Sequence, residues 1–251
     1  MENNTEKICF ILIAGFAPDE TPVLELKKVL EKRGYDAIAK GFFGNMMNQD
    51  FHLFTATECI KNISELIDDT KCKYDKVFGI GISLGGAFLL EYAKKKNNLD
   101  GIISIGTPFR LKNRQLIRLG KMFFPLVYPI WKQLQKIKKL RLVPIGAGNM
   151  VVEYLQNDFI KGLDTITTPL LFLHSKKDPV TDYRAIEEFS TRILSARKKI
   201  VFFDNGNHVI NNDAESIITQ VIDFFNLQSV AKEQILVQNM IVSPIEETAL
   251  S

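Results

Sequence analysis

Short apolar runs, rich in β-branched residues, recur along the chain and predict the strands of a buried sheet. The first of them is Ile8–Ile13, and an unbroken apolar run of this kind is typical of a parallel strand covered on both faces. The other predicted strands span residues 35–39, 77–82, 102–105, 170–174 and 200–203. These runs are well separated along the chain, so the segment between each run and the next is long enough for a helix.

Segments with helical periodicity fill most of the gaps between these runs. In residues 21–34, Thr21 is a plausible N-cap, Pro22 occupies the first helical position and Gly34 closes the helix. The other predicted helices span residues 56–67, 84–95, 182–194 and 213–225, the last with Asp213 as its cap. Strands that alternate with helices predict an α/β protein, in which helices cover both faces of a mostly parallel sheet.

The alternation breaks between residues 107 and 163, where helical patterns are interrupted by Pro125, Pro129 and Pro144. An insertion of this length is too long for an ordinary loop, and we interpret it as a helical cap over the carboxyl edge of the sheet. The sequence thus predicts an α/β core formed by residues 1–106 and 164–227 and a cap formed by residues 107–163. Residues 228–251 are predicted to form a C-terminal tail with one marginal helix.

Composition narrows the class of protein. The 251 residues are 46% hydrophobic and 24% charged, as in an ordinary globular protein. Three cysteines without framework spacing argue against a disulfide scaffold, and with three histidines and no C-x-x-C motif no metal site is expected. The N-terminal MENNTEK is polar, and the longest apolar run, residues 122–131, is shorter than the roughly 20 residues that span a bilayer. We therefore expect a cytoplasmic protein.

The charged residues that sum to the net charge of +3 are unevenly distributed along the chain. Residues 101–152 contain ten Lys and Arg and no Asp or Glu, which leaves −7 for the rest of the chain. The basic residues are interleaved with apolar ones: Phe123, Phe124, Leu126, Tyr128, Ile130 and Trp131. This combination favours an anionic membrane surface or an acidic substrate, although a solvated helical face over a pocket would show the same pattern. Nothing at the level of the fold supports nucleic-acid binding, so no nucleic-acid partner is expected.

The best candidate for chemistry is a serine between two glycines, in the stretch Gly81-Ile-Ser83-Leu-Gly85. The motif follows a predicted strand and opens a predicted helix, which is the context of a nucleophile elbow with its hydroxyl exposed above the sheet. Side chains at positions 81 and 85 would clash in so tight a turn. The glycine spacing does not match a dinucleotide-binding loop. The alternative to a nucleophile elbow is a glycine-rich turn between strand and helix in which the serine has no chemical role.

A serine nucleophile needs a base, and the sequence offers three histidines. His208 follows the strand at residues 200–203, so it lies at the same sheet edge as Ser83 and is our candidate. His174 ends a strand and is expected to pack or to bond to a nearby loop. His52 precedes a helix and is expected to be structural or exposed.

The base in turn needs an orienting acid. Asp178 follows the strand that ends at His174, and Pro179 favours an extended conformation at this aspartate. Three other aspartates remain open: Asp182, Asp204 and Asp213. The first is more typical of a helix cap, and the second is a possible substitute for Asp178. For the oxyanion we expect the backbone N–H groups of Leu84 and Phe16.

Four motifs give the chain a resemblance to the α/β hydrolases, and within them to small bacterial carboxylesterases and monoacylglycerol lipases. These motifs are ILIAGF, GISLGG, LFLHSKKDPV and NGNHVI, and they place Ser83, Asp178 and His208 in the chain order of that fold. One difference is Ala14, where relatives usually have histidine before the glycine. The resemblance implies ester hydrolysis through an acyl-serine intermediate, no cofactor, and a cap that acts as a lid over an acyl pocket. Residues assigned to substrate binding are Gly15, Phe109, Phe124 and Trp131.

The resulting hypothesis is a cytoplasmic serine esterase that acts on short to medium acyl esters or on monoacylglycerols. An acyltransferase or a thioesterase would use the same triad and differ in its acyl acceptor. A catalytically silent lipid-binding scaffold that retains the fold is the alternative outside enzymes.

Overall fold

A computed structural model describes residues 6–16, 20–41, 55–112, 153–155, 157–208 and 213–228. Its centre is a parallel sheet of six strands in the order β2-β1-β3-β4-β5-β6. The strands are β1 (Ile8–Ile13), β2 (Asp36–Lys40), β3 (Lys76–Ile82), β4 (Gly101–Ile105), β5 (Leu170–Ser175) and β6 (Lys198–Phe203). The predicted parallel sheet is confirmed, and each strand lies within two residues of its predicted bounds.

Helices cover both faces of the sheet, as predicted. They are α1 (Thr21–Lys32), α2 (Ala56–Lys71), α3 (Leu84–Lys96), α4 (Arg184–Ser190) and α5 (Ala214–Phe225), with a short 3₁₀ turn at Leu163–Thr165. Successive side chains of a strand point to opposite faces, so β1 contributes to two separate cores. Phe10 and Leu12 pack with α1 and α5. Ile11 and Ile13 pack with α2, α3 and α4.

Two helix starts test the capping predictions. Asp213 caps α5, because its Oδ1 accepts a hydrogen bond of 2.9 Å from the backbone N–H of Ser216, and this prediction is confirmed. For α1, the prediction of Thr21 as the cap is wrong by one residue. The helix already begins at Thr21, and Glu20 holds the capping position without a side-chain bond.

Two helices differ in length from their predicted spans. The helix predicted over residues 182–194 covers only Arg184–Ser190. At its end, the hydroxyls of Ser190 and Thr191 donate to the carbonyls of Glu187 and Glu188, at 3.0 and 2.7 Å. Such bonds offer the backbone an alternative to continued helix. Helix α2 instead runs four residues beyond its predicted end to Lys71.

Most of the predicted cap and tail lies outside the described residues, so this division of the chain stays a prediction. The described entry to the cap is residues 107–112, where Leu111 forms an antiparallel bridge with Thr181. Within the described ranges, no helix combines the length and the apolar character that a membrane span requires.

Candidate active site

The candidate site lies at the carboxyl edge of the sheet, where the strand order changes direction. Strand β1 is flanked by β2 on one side and β3 on the other, and the crevice at such a point is where α/β sheets bind their ligands. The loop after β1 and the turn after β3 meet there. A Cβ built on Gly15 would lie 3.1 Å from Ser83 Cβ and 3.7 Å from its Oγ.

Ser83 occupies a strained turn between β3 and α3. Its φ of 52° and ψ of −118° lie in a region that residues other than glycine rarely adopt. Such conformations cost on the order of 1–3 kcal/mol and persist only where the surroundings impose them. Here the N–H of Ser83 donates to the carbonyl of Ile105 at 2.7 Å, and the carbonyl of Ser83 accepts from Gly86 at 3.0 Å. These bonds fix the serine at the apex of the turn.

The two glycines of the motif are required by close backbone approach. A Cβ on Gly81 would lie 2.4 Å from the backbone of Gly86, and a Cβ on Gly85 would lie 2.3 Å from the carbonyl oxygen of Ile13. Both neighbours are main-chain atoms that cannot swing away. The turn therefore has no room for a side chain at position 81 or at position 85.

The structure brings Ser83, His208 and Asp178 together in one chain of hydrogen bonds. His208 Nε2 lies 2.8 Å from Ser83 Oγ, and His208 Nδ1 lies 2.7 Å from Asp178 Oδ2. A carboxylate accepts and does not donate, so Nδ1 carries the proton and Nε2 is left to accept from the serine hydroxyl. The imidazole is 19% exposed, whereas the carboxyl of Asp178 is 1% exposed.

Asp178 is held by bonds to both of its oxygens. Oδ1 accepts from the backbone N–H groups of Val180 and Thr181, at 2.7 and 3.0 Å, and Oδ2 accepts from the Thr181 hydroxyl at 2.5 Å. Burial alone would raise the pKa of this carboxyl. Hydrogen bonds from His174, His208 and Thr181 and the attraction of His208 outweigh that effect and hold the pKa of Asp178 well below its usual range.

His174 bonds to a nearby loop, as expected, and that loop is the one that carries the acid. The ring is fully buried, and its Nε2 lies 2.8 Å from Thr181 Oγ1 and 3.2 Å from Asp178 Oδ2. The third histidine, His52, lies outside the described residues.

The competing aspartates are engaged elsewhere. Asp182 accepts from the N–H of Arg184 at 3.2 Å, close to the start of α4. Asp204 is exposed and pairs with Lys176 at 2.8 Å. Asp213 caps α5. In the part of the chain that the structure describes, no group of three His, Cys, Asp or Glu side chains is arranged to hold a metal ion.

Sequence reasoning missed three residues that hold the site in place. Thr181 bonds to the acid, and the hydroxyl of Ser175 donates to the carbonyl of Gly206 at 2.8 Å, which ties the end of β5 to the histidine loop. Gly106, with a φ of +59°, passes directly beside the main chain of His208. The hydroxyl residues on either side of Asp178 in SKKDPVT were the available signal for the first two, whereas a single glycine after β4 gave none.

The loop proposed to contribute to an oxyanion site is anchored next to the serine. Ala14, which is buried, donates its N–H to the carbonyl of Lys40 at 3.0 Å, and Phe16 packs against the core. Leu84 is the first residue of α3, and N–H groups in the first turn of a helix have no partner within it. Both loop and helix start therefore flank Ser83.

Of the four residues assigned to substrate binding, the structure describes two, Gly15 and Phe109. Gly15 lies against Ser83, as described above. Phe109 is 3% exposed, and its ring packs against three others, with centroid distances of 5.1 Å to Phe159, 5.7 Å to Phe189 and 6.0 Å to Phe172. Core packing is thus its observed role, and a contact with substrate stays a prediction. Phe124 and Trp131 lie outside the described residues.

Solved structures of lipolytic proteins share the fold of this chain. A structure described under LipS and LipT, two metagenome-derived lipolytic enzymes, has a TM-score of 0.69 at 18% identity and covers 88% of this chain and 94% of its own. The monoacylglycerol lipase of Paleococcus ferrophilus has a TM-score of 0.64 at 16% identity, over 86% of this chain and 93% of its own. A soluble variant of the Saccharomyces cerevisiae monoglyceride lipase, in complex with a substrate analog, has a TM-score of 0.67 at 15% identity, over 92% and 90%.

The sequence itself identifies the family. Residues 6–215 match the model of the family described as serine aminopeptidase, S33, and this span includes every strand of the sheet and all three residues of the hydrogen-bonded chain. The chain belongs to this S33 family of α/β hydrolases.

Proposed function

We propose that the protein is a serine esterase that hydrolyses carboxylic esters, either with short to medium acyl chains or in monoacylglycerols, through an acyl-serine intermediate. The observation that carries this proposal is the unbroken chain from Ser83 Oγ through His208 to Asp178, with links of 2.8 and 2.7 Å. A serine on a strained turn, a histidine within reach and a buried acid behind it are the parts that nucleophilic acyl transfer needs.

In the first half of the reaction, Ser83 Oγ attacks the ester carbonyl while His208 Nε2 takes its proton. Asp178 keeps the imidazole in the tautomer that can accept, and its negative charge stabilises the imidazolium that forms. The N–H groups of Phe16 and Leu84 are the proposed donors to the tetrahedral oxyanion. When the intermediate collapses, the imidazolium gives its proton to the leaving alkoxide, and the acyl group stays on Ser83.

In the second half, water replaces the alcohol. His208 Nε2 takes a proton from the water as its oxygen attacks the acyl-serine, and the same proton returns to Ser83 Oγ when the acid leaves. No group besides the triad and the oxyanion donors is needed for these steps.

The substrate class is supported by the solved structures that share this fold. Solved relatives are described as lipolytic enzymes and as monoacylglycerol lipases, and one holds a substrate analog. The residues proposed to contact the acyl chain are those assigned from the sequence: Gly15, Phe109, Phe124 and Trp131.

The family description favours a second candidate, hydrolysis of an N-terminal peptide bond. The same triad cleaves amides, but the leaving amine has to be protonated as the bond breaks. Transfer of the acyl group to an acceptor other than water would use the same acyl-serine.

A substrate panel distinguishes these candidates. We would assay 4-nitrophenyl esters from acetate to dodecanoate, monoacylglycerols, acyl thioesters and aminoacyl 4-nitroanilides, with Ser83→Ala as the matched control. The proposal expects ester turnover that depends on Ser83 and exceeds anilide turnover. Anilide turnover above that of every ester would favour the peptidase, and no turnover with any substrate would favour a silent scaffold.

The basic cap is proposed to dock on an anionic lipid surface. Several Lys and Arg near such a surface contribute about 1 kcal/mol each, and salt weakens the attraction. The test is co-sedimentation with phosphatidylserine-containing and with pure phosphatidylcholine vesicles at low and high salt. We expect binding to the anionic vesicles alone, weakened by replacing Lys136, Lys138 and Lys139 with Gln, while soluble-ester turnover is unchanged. Equal binding to neutral vesicles, or none at all, would contradict the docking.

A further inference from the structure

A second network of hydrogen bonds meets at the buried acid. It joins His174 on β5, Thr181 on the loop after it and Asp178 between them. All three residues are fully buried. A buried polar network of this kind is stable only if its members satisfy one another, so the position of each proton can be worked out.

The protons of the network have one consistent arrangement. The Thr181 hydroxyl has a single proton, which it donates to Asp178 Oδ2 at 2.5 Å. Its oxygen is then left to accept, so the neighbouring His174 Nε2, at 2.8 Å, carries a proton. The same nitrogen, His174 Nε2, is 3.2 Å from Asp178 Oδ2. His174 Nδ1 is buried and has no hydrogen-bond partner among the described residues, which favours the tautomer that leaves it without a proton.

Two imidazole nitrogens therefore lie close to Asp178 Oδ2. His208 Nδ1 lies 2.7 Å from this oxygen, and the fully buried His174 Nε2 lies 3.2 Å from it. Meanwhile Oδ1 is held by two backbone N–H groups of the loop. A carboxylate fixed in this way cannot rotate about its bond without losing a partner.

Building on the proposed esterase function, we propose that His174 is a positioning residue for catalysis. It donates Nε2–H to the Thr181 hydroxyl and to Asp178 Oδ2, and so keeps the buried acid ionised and turned towards His208. The direction of the shifted pKa of Asp178 agrees, because the hydrogen bond from His174 opposes the effect of burial.

The other charged or polar groups around Asp178 are few in the described residues. The Lys112 ammonium, at the entry to the cap, donates to the backbone carbonyl of Asp178 and not to its carboxyl. Arg110 is engaged by Asp182 and Glu188. The carboxyl therefore depends on the two imidazoles, the Thr181 hydroxyl and the loop N–H groups.

The test compares His174→Met, which keeps the volume and loses the donor, with His174→Gln, whose amide nitrogen can replace Nε2–H. Loss of a hydrogen bond to a charged group predicts a fall in kcat of about tenfold or more for His174→Met. KM should stay within about twofold, because His174 does not face the substrate. With less of its charge neutralised, Asp178 holds the proton on His208 more firmly, so the acid limb of the kcat/KM profile moves to higher pH. His174→Gln should recover most of the lost kcat.

Thr181 supplies a second pair of variants, which decides the question if His174→Met fails to fold. Thr181→Val removes the hydroxyl at constant shape, whereas Thr181→Ser keeps it. We expect Thr181→Val to lower kcat and shift the acid limb in the same direction, and Thr181→Ser to resemble the wild type. Equal losses in the Val and Ser variants, or in the Met and Gln variants, would overturn the role of these groups as donors.

A spectroscopic measurement separates this inference from the proposed function. The low-field proton resonance of His208 Nδ1–H, assigned by its absence in His208→Ala, reports the bond to Asp178 without any substrate. It should move or broaden in His174→Met and stay in place in His174→Gln. If the wild type neither hydrolyses nor labels, the esterase proposal fails while this resonance still tests the positioning. If the wild type is active and a folded His174→Met keeps kcat, pH profile and resonance, the positioning role is wrong.

Discussion

Gly106→Ala should disturb His208, the candidate base, through contact with its main chain. Gly106 follows β4 with a φ of +59°, and a Cβ there would lie 2.5 Å from the carbonyl oxygen of His208 and 3.6 Å from its Nδ1. The same short segment also holds the nucleophile, because the carbonyl of Ile105 accepts from the N–H of Ser83 at 2.7 Å. A shift at this position is therefore transmitted to the bond between serine and histidine.

The magnitude follows from two separate effects. An alanine in the left-handed region costs roughly 1–2 kcal/mol of stability. In addition, the Cβ contact has to open from 2.5 Å to at least 3.0 Å, so the main chains of residue 106 and His208 must move apart by half an ångström or more. Since a misplacement of about 1 Å can cost about 100-fold in rate, we expect kcat to fall between about 10- and 100-fold.

The assay is kcat on a short 4-nitrophenyl ester together with the free energy of unfolding in urea. Gly162→Ala is the matched control. It has a similar φ of +69°, but its Cβ would meet only the side chain of Lys94, at 3.7 Å. We expect Gly162→Ala to lose a similar amount of stability from the same backbone strain and to keep its kcat. If both variants keep kcat, or both lose it equally, the argument from contact with His208 is refuted.

Other variants test the remaining parts of the site. Because triad members act as a unit, Ser83→Ala should lower kcat by roughly four to six orders of magnitude. The thermal midpoint of this variant should not fall. Asp204→Asn should keep kcat, since this exposed carboxyl pairs with Lys176, whereas Asp178→Asn should lose activity by leaving the imidazole in the wrong tautomer. The pKa of Asp178 is lower in the folded protein than in the unfolded chain, so the ionised carboxyl stabilises the folded protein above about pH 4. As the pH falls, the unfolded chain binds the proton more readily, and this stabilisation is lost. In urea titrations from about pH 6 to about pH 3, Asp178→Asn should therefore show a shallower loss of stability than the wild type; an equally steep loss would contradict the assignment.

The strands could be predicted well because their signal is local. Runs such as Ile8–Ile13 are apolar throughout, since both faces of the sheet are covered, and the chain order of helices and strands then fixes a parallel arrangement. Helix ends were less predictable. Periodicity continued past Ser190, but the bonds from the Ser190 and Thr191 hydroxyls to backbone carbonyls end the helix there.

The candidate triad could also be predicted, because each member follows a strand and parallel strands end at one edge. What the sequence did not show is which side chains support the triad. His174 was expected to bond to a nearby loop, but its convergence with Thr181 on Asp178 depends on the fold of that loop. The contact of Gly106 with His208 joins residues about a hundred positions apart, and no periodicity or spacing reports such a meeting.

The central claim is that Ser83 is a nucleophile activated by His208, and covalent labelling tests it most directly. The protein would be treated with a fluorophosphonate, and intact mass and peptide mapping would locate any adduct. We predict a single adduct on Ser83, absent in Ser83→Ala and formed far more slowly in His208→Ala. Absence of any adduct on the folded wild-type protein, or an adduct on another residue such as Ser175, would contradict the account.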